Sequence, residues 1–288
     1  MAPPPSPSPA TMLLPDRVDV AALVLVGATV WCYLGGVRRL ARRGRHWSPG
    51  RTTAFVAGAA VLLVATQSGV ARYDTVLFSD HVLQHVLLGM LAPILLALGA
   101  PVTLALQAAH RTTKRWLRHA LDTPAARILT HPVTATVLFA ATLFVLYFTP
   151  LYELSLRNGV VHAWVHVHFV VVGVLFAEAI VGLDLSRHRT EYPARLGLVM
   201  ATVPFHAFLG VALLSSSTVL AADWYAATGR TWGASALSDQ KTGAGILWAA
   251  GELFGLVLGG VVLARWMAHS DREARRHDRL LDAGMAAH

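Results

Sequence analysis

Six of the 14 histidines in this chain lie inside apolar stretches: His81, His85, His162, His166, His168 and His206. The other eight fall in polar loops or near the C-terminal end. An ionisable side chain in a membrane-spanning segment is costly to place and marks a functional site by default. Neutral imidazole is a ligand for copper, zinc and iron. His81/His85 and His162/His166 are each spaced i,i+4, so each pair shares one helix face. Two helices that each present such a pair can supply four nitrogens to one centre. His206, just after Pro204 on another segment, can supply a fifth or replace one of the four. His168 lies two residues beyond His166, about 200° around a helix, and is expected to bond a neighbouring helix or face the headgroups. The competing reading makes all of these packing or interfacial hydrogen-bonding groups.

The elements that must position these residues are membrane helices. The chain has 288 residues, of which 55% are hydrophobic and 14% charged, and its mean hydropathy is +0.53. A soluble domain of this size is neither so apolar nor so poor in charge. The pattern predicts an all-α polytopic bundle with seven spans, at roughly 18–36, 53–70, 78–100, 133–150, 161–183, 195–216 and 243–266. Gly99-Ala100-Pro101 should break or bend the third. The stretch 102–121, with its basic end, then reads as an interfacial amphipathic helix. Residues 1–17 read as a disordered Pro-rich tail rather than a cleaved signal, 18–266 as the seven-helix domain, and 267–288 as a basic amphipathic tail on the cytoplasmic surface.

Charge orients the bundle. Nineteen of the 24 Lys and Arg follow spans one, three, five and seven, whereas Arg17, Arg72, Arg157, Arg230 and Lys241 lie on the other side. The positive-inside rule puts the N-terminus outside and the C-terminus in the cytoplasm. His81, His85, His162 and His166 then occupy the outer half, and His206 lies about mid-membrane. The net charge of +8 follows from this loop bias and does not argue for nucleic acid. With one cysteine, Cys32, no internal disulfide forms.

Among the acidic groups, Glu252 falls inside span seven and is a candidate proton acceptor or partner for a histidine. Glu178 reads as structural. Asp80, Asp223 and Asp239 lie on the outer rim, where they can draw cations to an entry mouth, although Asp223 suits a solvated loop acid better. The glycines of span seven read as a close-packing face. No nucleophile–base motif, phosphate loop or nucleotide fingerprint occurs, so nothing points to hydrolysis or ATP use. Imidazoles without thiolates suit copper or zinc, and paired histidines on two helices also suit a b-type haem. A cation transporter is a further reading, for which the inner halves of the spans offer little beyond Glu178 and Glu252.

From Tyr73 onward the sequence resembles the polytopic CtaG family of cytochrome c oxidase assembly factors, which is distinct from a single-span copper chaperone of the same name. The resemblance is carried by SDHVLQH with LLGMLAPILLALGAPVTL (Ser79–Leu104), VHAWVHVHF (Val161–Phe169), PFHAFLG (Pro204–Gly210) and SDQKTGAGILWAAGE (Ser238–Glu252). It implies a multi-pass protein of the bacterial plasma membrane that assembles active oxidase without being an enzyme. It also implies copper delivered to the oxidase subunits, with an extracytoplasmic copper donor as a further partner. The family's histidines match His81, His85, His162, His166, His168 and His206, and its last block matches Asp239, Gln240 and Glu252. This chain has Val82 and Leu247 where the family pattern has methionine, and Phe254 where proline is frequent. Without those methionines its site is more nitrogenous.

Overall fold

The computed structural model describes residues 5–13, 18–182 and 191–285. Among them there are helices and turns and no strand. Six helical stretches are long and apolar enough to cross a membrane: Val20–Arg42, Pro49–Tyr73, Phe78–Ala108, Gly159–Val181, Tyr192–Ser215 and Ala236–Arg276. A seventh exists if Pro132–Phe148 and Leu151–Arg157, bent by 72°, count as one broken span. The expected all-α membrane bundle is therefore observed, with its fourth span short and bent. Large apolar side chains such as Trp31, Val160, Phe208 and Leu256 are exposed on its outside, as lipid-facing residues would be.

Within the stretch expected to be a disordered tail, Pro9–Leu13 forms a short helix, α1, and the Tyr73 hydroxyl donates to the Pro5 carbonyl at 2.9 Å. The next helix, α2 (Val20–Arg42), is capped by Asp19, which accepts from the Ala22 N–H, and carries Arg39 and Arg42 in its last turn. Both placements complement the helix dipole. The Gln67 amide at the end of α3 (Pro49–Gln67) bonds both the N–H and the carbonyl of Asp19, at 3.0 and 2.9 Å. That pins α2 and α3 side by side and antiparallel. A short helix, α4 (Gly69–Tyr73), leads from α3 toward the histidines.

The third span is three helices and a π turn. Its opening helix, α5 (Phe78–Val86), has Leu77 at its cap position and so no side-chain cap of its own. Asp239, 161 residues away, supplies one: its carboxylate accepts from the Phe78 N–H at 2.6 Å and from the Ser79 hydroxyl at 2.5 Å. After α5 the chain makes one π turn, Leu87–Leu91, before α6 (Ala92–Leu98). Pro93 accounts for it. Lacking an N–H, it leaves the Gly89 carbonyl without an i→i−4 partner and its ring crowds that turn. The span then breaks at Gly99–Ala100, where Ala100 is left-handed (φ 48°, ψ 56°). The Tyr33 hydroxyl of α2 donates to the Gly99 carbonyl at 2.8 Å and accepts from Trp47 Nε1 at 3.0 Å. The break is thus satisfied by protein, as membrane-depth backbone requires.

One expectation is corrected here. Residues 102–121 are not a single interfacial helix. Pro101–Ala108 forms α7 and continues the apolar span. Only α8 (Arg111–Asp122), which buries no residue, matches the basic amphipathic segment. The short α9 (Pro124–Leu129) follows, then the bent pair α10 (Pro132–Phe148) and α11 (Leu151–Arg157).

Span five is α12 (Gly159–Val181). Asn158 caps it by accepting from the Val160 and Val161 N–H groups, and Gly182 closes it in a left-handed conformation. Arg265 donates to the last carbonyl, Val181 O, at 2.8 Å. Span six is α13 (Tyr192–Ser215), which holds Pro204. A short helix, α14 (Ala222–Ala227), lies in the following loop. Span seven belongs to α15, which runs from Ala236 to Met285 without a break. The basic tail is therefore a continuation of the last span rather than a separate helix. Gly251, Gly255 and Gly259 of α15 meet His206, Val203 and Met200 of α13 in turn. The two helices lie antiparallel along this small-residue face, as expected of a close-packing stripe.

Replacing Asp239 by Ala leaves the first N–H groups of α5 unpaired at a buried helix start. The variant is expected to lose about 0.5–2 kcal/mol of stability, read as a lowered thermal midpoint in detergent, whereas Asp239→Asn retains part of it.

Candidate metal centre

The capped start of α5 places its histidine pair against the pair on α12. His81 and His85 rings lie 4.1 Å apart by centroid, and His162 and His166 rings 4.3 Å apart. Across the helices His81 faces His162 at 5.6 Å and His85 faces His166 at 5.9 Å. The four rings form a quadrilateral with two members on each helix, the i,i+4 geometry expected of the pattern. His81, His85 and His162 are buried, and the Nε2 atoms of His162 and His166 are sealed from solvent.

These nitrogens lack ordinary partners. Neither nitrogen of His85 makes a hydrogen bond, nor does Nε2 of His166. His81 faces the Asp74 backbone without a well-formed bond. Buried polar groups are normally satisfied, and leaving one unmade costs about 1–3 kcal/mol. A cluster of unsatisfied imidazoles has the chemistry of a preformed ligand set.

A carboxylate completes the set. Asp74, buried in the turn between α4 and α5, places Oδ2 3.3 Å from His162 Nε2. The donor atoms of Asp74, His162 and His166 all lie within 4.8 Å of one another. Sequence reasoning did not single out Asp74. Its signal was available, because it precedes His81 by seven residues at the same end of the span, but a turn residue carries no periodicity to mark it.

The remaining candidates divide. Asp80 is buried beside Asp74 and Asp239, within reach of both charges; like His81 and His85 it stands outside the three-residue donor group, but unlike them it makes no ring contact with the quartet's histidines. Asp239 is spent on the start of α5, so it positions His81 and His85 and does not front an open mouth. Gln240 accepts from the Leu220 N–H and donates to the Thr218 carbonyl, fixing the loop after α13. Asp223 is exposed. His168 points away from the quartet: its Nε2 is 3.0 Å from Thr142 Oγ1 of α10, and its ring stacks on Trp164. It bonds a neighbouring helix, as the 200° offset predicted.

His206 does not join the four rings. Its Nδ1 is 3.0 Å from the Thr202 carbonyl, which makes Nδ1 the protonated nitrogen and leaves Nε2 as a buried lone pair without a partner. No ring contact links it to the quartet among the described residues. It is a separate group, with half-buried Glu252 close enough to interact with it electrostatically.

Aromatic side chains close the histidine end. Tyr152 meets His81 edge-on at 5.0 Å, and its hydroxyl is 2.5 Å from that of Tyr225. Burial pushes the Tyr225 hydroxyl up from its ordinary range, so it stays protonated and keeps the pair hydrogen-bonded.

The profile of the family described as cytochrome c oxidase caa3 assembly factor (Caa3_CtaG) matches residues 31–269. The chain belongs to that family. The match begins well before Tyr73 and takes in the second half of the first span and the whole of the second. Among relatives, uncharacterized proteins of Mycobacterium bovis and Mycobacterium tuberculosis are each 37% identical over 261 residues, covering 88% of this chain and 40% of the relative. An uncharacterized protein of Mycobacterium leprae is 36% identical over 273 residues, covering 91% and 41%. The chain therefore spans about two fifths of the length of these relatives. No solved structure matches it significantly.

An optical titration with cobalt(II) separates the residues. Asp74→Asn should weaken binding about 10–100-fold, the loss typical of removing a carboxylate that supports a ligand histidine. His168→Ala should leave the titration unchanged.

Proposed function

We propose that this caa3 assembly factor binds copper at His81, His85, His162 and His166, with Asp74 as the anionic member, and delivers it to cytochrome c oxidase. The observation that carries this reading is four imidazoles packed ring against ring, with buried nitrogens largely lacking hydrogen-bond partners, beside a buried carboxylate whose oxygen and the nitrogens of His162 and His166 lie within 4.8 Å of one another. Such a nitrogen-rich set with one oxygen suits copper.

The protein's own contribution is to hold and then release. α5 and α12 each fix two rings, and the Asp239 cap sets where α5 begins. With five donors available, one can leave while the rest retain the ion, which is what transfer by ligand exchange requires. On the positive-inside orientation this end faces outward, so an extracytoplasmic copper donor would load the site and the nascent oxidase would unload it. No substrate is turned over; the chain is a carrier and assembly partner.

Two observations support this over the other readings. A haem would need open space for its macrocycle between facing axial histidines. The two paired rings on each helix are in contact, and the cavity that His85 lines beneath them has about 20 Å³, room for one water-sized group. A transporter would need a polar route beyond His206, and apart from His206 and Thr202 the cavity there is lined by apolar groups such as Phe176, Val199, Phe254 and Leu258.

The test is made in cells that depend on this chain for their oxidase. A His81→Ala/His162→Ala double variant, present at normal level in the membrane, should yield oxidase with its haem bands intact and its copper sharply depleted. Oxidase with normal copper content would refute the proposal. The purified protein should show copper-dependent absorption and no Soret band; a Soret band with sharp reduced α-bands would favour haem instead.

A further inference from the structure

A second set of donors meets one step deeper in the bundle. His85 alone of the quartet lines a cavity that it shares with Met90 and His206. Met90 reaches this place because of the π turn. In a regular helix the residue below His85 on the same face is Gly89, four positions on. An i→i+5 turn takes in one more residue, and so brings Met90 beneath His85. Gly89 and Gly173 carry no side chain into the contact, so the α5–α6 backbone and α12 approach closely there.

The donors are of a definite kind. His206 aims an unpartnered Nε2 from a ring 98% buried, and His85 has both nitrogens unpartnered in a ring equally buried. Met90 adds a thioether, a soft ligand that selects Cu(I). The other lining residues include Val86, Phe139, Phe169 and Leu247, and no carboxylate. The penalty for burying an ion rises with the square of its charge, so a dry site of neutral ligands favours a monovalent ion. The quartet differs, because it has Asp74.

We propose that His85, Met90 and His206 form a second, dry site for a soft monovalent metal ion, Cu(I), joined to the outer quartet through His85. It rests on the copper reading of the quartet. The ion moves by ligand exchange only: the neutral His85 ring offers one lone pair and so serves one set at a time, leaving His81, His162, His166 and Asp74 to hold an ion in the quartet when the deeper site is filled, and the metal enters and leaves as Cu(I), with no electron transferred.

The experiment titrates the full chain in detergent with Cu(I), without oxygen, against a competing chelator, and records copper X-ray absorption. Wild type should bind two equivalents and show a sulfur scatterer. Met90→Leu, which conserves volume and so should fold, and His206→Leu should each lose one equivalent, and Met90→Leu should lose the sulfur signal. Their remaining equivalent should match wild type within about twofold and vanish in His162→Ala/His166→Ala. A single equivalent, without sulfur and insensitive to Met90→Leu and His206→Leu, would overturn the second site while leaving the quartet intact. Binding unaffected by His162→Ala/His166→Ala would overturn the quartet instead.

Discussion

A helix that begins inside a bundle has backbone N–H groups that water cannot reach, and something in the protein must accept them. For α5 that acceptor is Asp239. Leu77 offers no side-chain oxygen, so the helix start, and with it the height and rotation of His81 and His85, is set by a carboxylate from the last span. The partner pair on α12 is set locally, by Asn158, the residue that directly follows α11, a short-range cap opposite a long-range one. The quartet exists only because these two caps place their helices in register.

The same requirement governs the irregular backbone of the third span. Each departure from regular helix has a traceable cause and a traceable remedy. Pro93 removes a donor, and a π turn absorbs the change. Gly99–Ala100 breaks the helix, and Tyr33 of α2 accepts the task of satisfying the freed carbonyl, braced by Trp47 and by stacking on Phe55 at 3.9 Å. On the other side, Pro204 lies within α13 just before His206, and Gly251 leaves room for the ring to pack. Irregularity gathers in the helices that carry the histidines.

Much of this could be read before any coordinates. Intramembrane histidines at i,i+4 had to share faces, the two-residue step to His168 had to turn it away, and Gly99-Ala100-Pro101 had to break its helix. Period and turn chemistry carry such information. Asp74 was passed over for the opposite reason: a single turn residue belongs to no period. Met90 stood in plain view, but its place beneath His85 depends on the extra residue of the π turn, which Pro93 permits without dictating. Asp239 looked like a rim charge because its partners, Phe78 and Ser79, are remote in sequence. The extent of the apolar helix past Pro101 was missed because a proline that breaks one helix also starts the next well, at its first turn.

The uninterrupted course of α15 has a mechanical consequence. Its 50 residues make a rod of about 75 Å at 1.5 Å per residue, more than twice the roughly 30 Å of a bilayer's hydrocarbon core. Near one end it holds the first turn of α5 through Asp239; toward the other, residues 271–276, with Arg272, Arg275 and Arg276, are exposed. With no hinge between them, the two ends share one axis. Torque or tilt applied at the basic end is borne along the shaft toward the carboxylate that seats the histidine-bearing helix, so the grip on the quartet and whatever grasps the far end are parts of one lever.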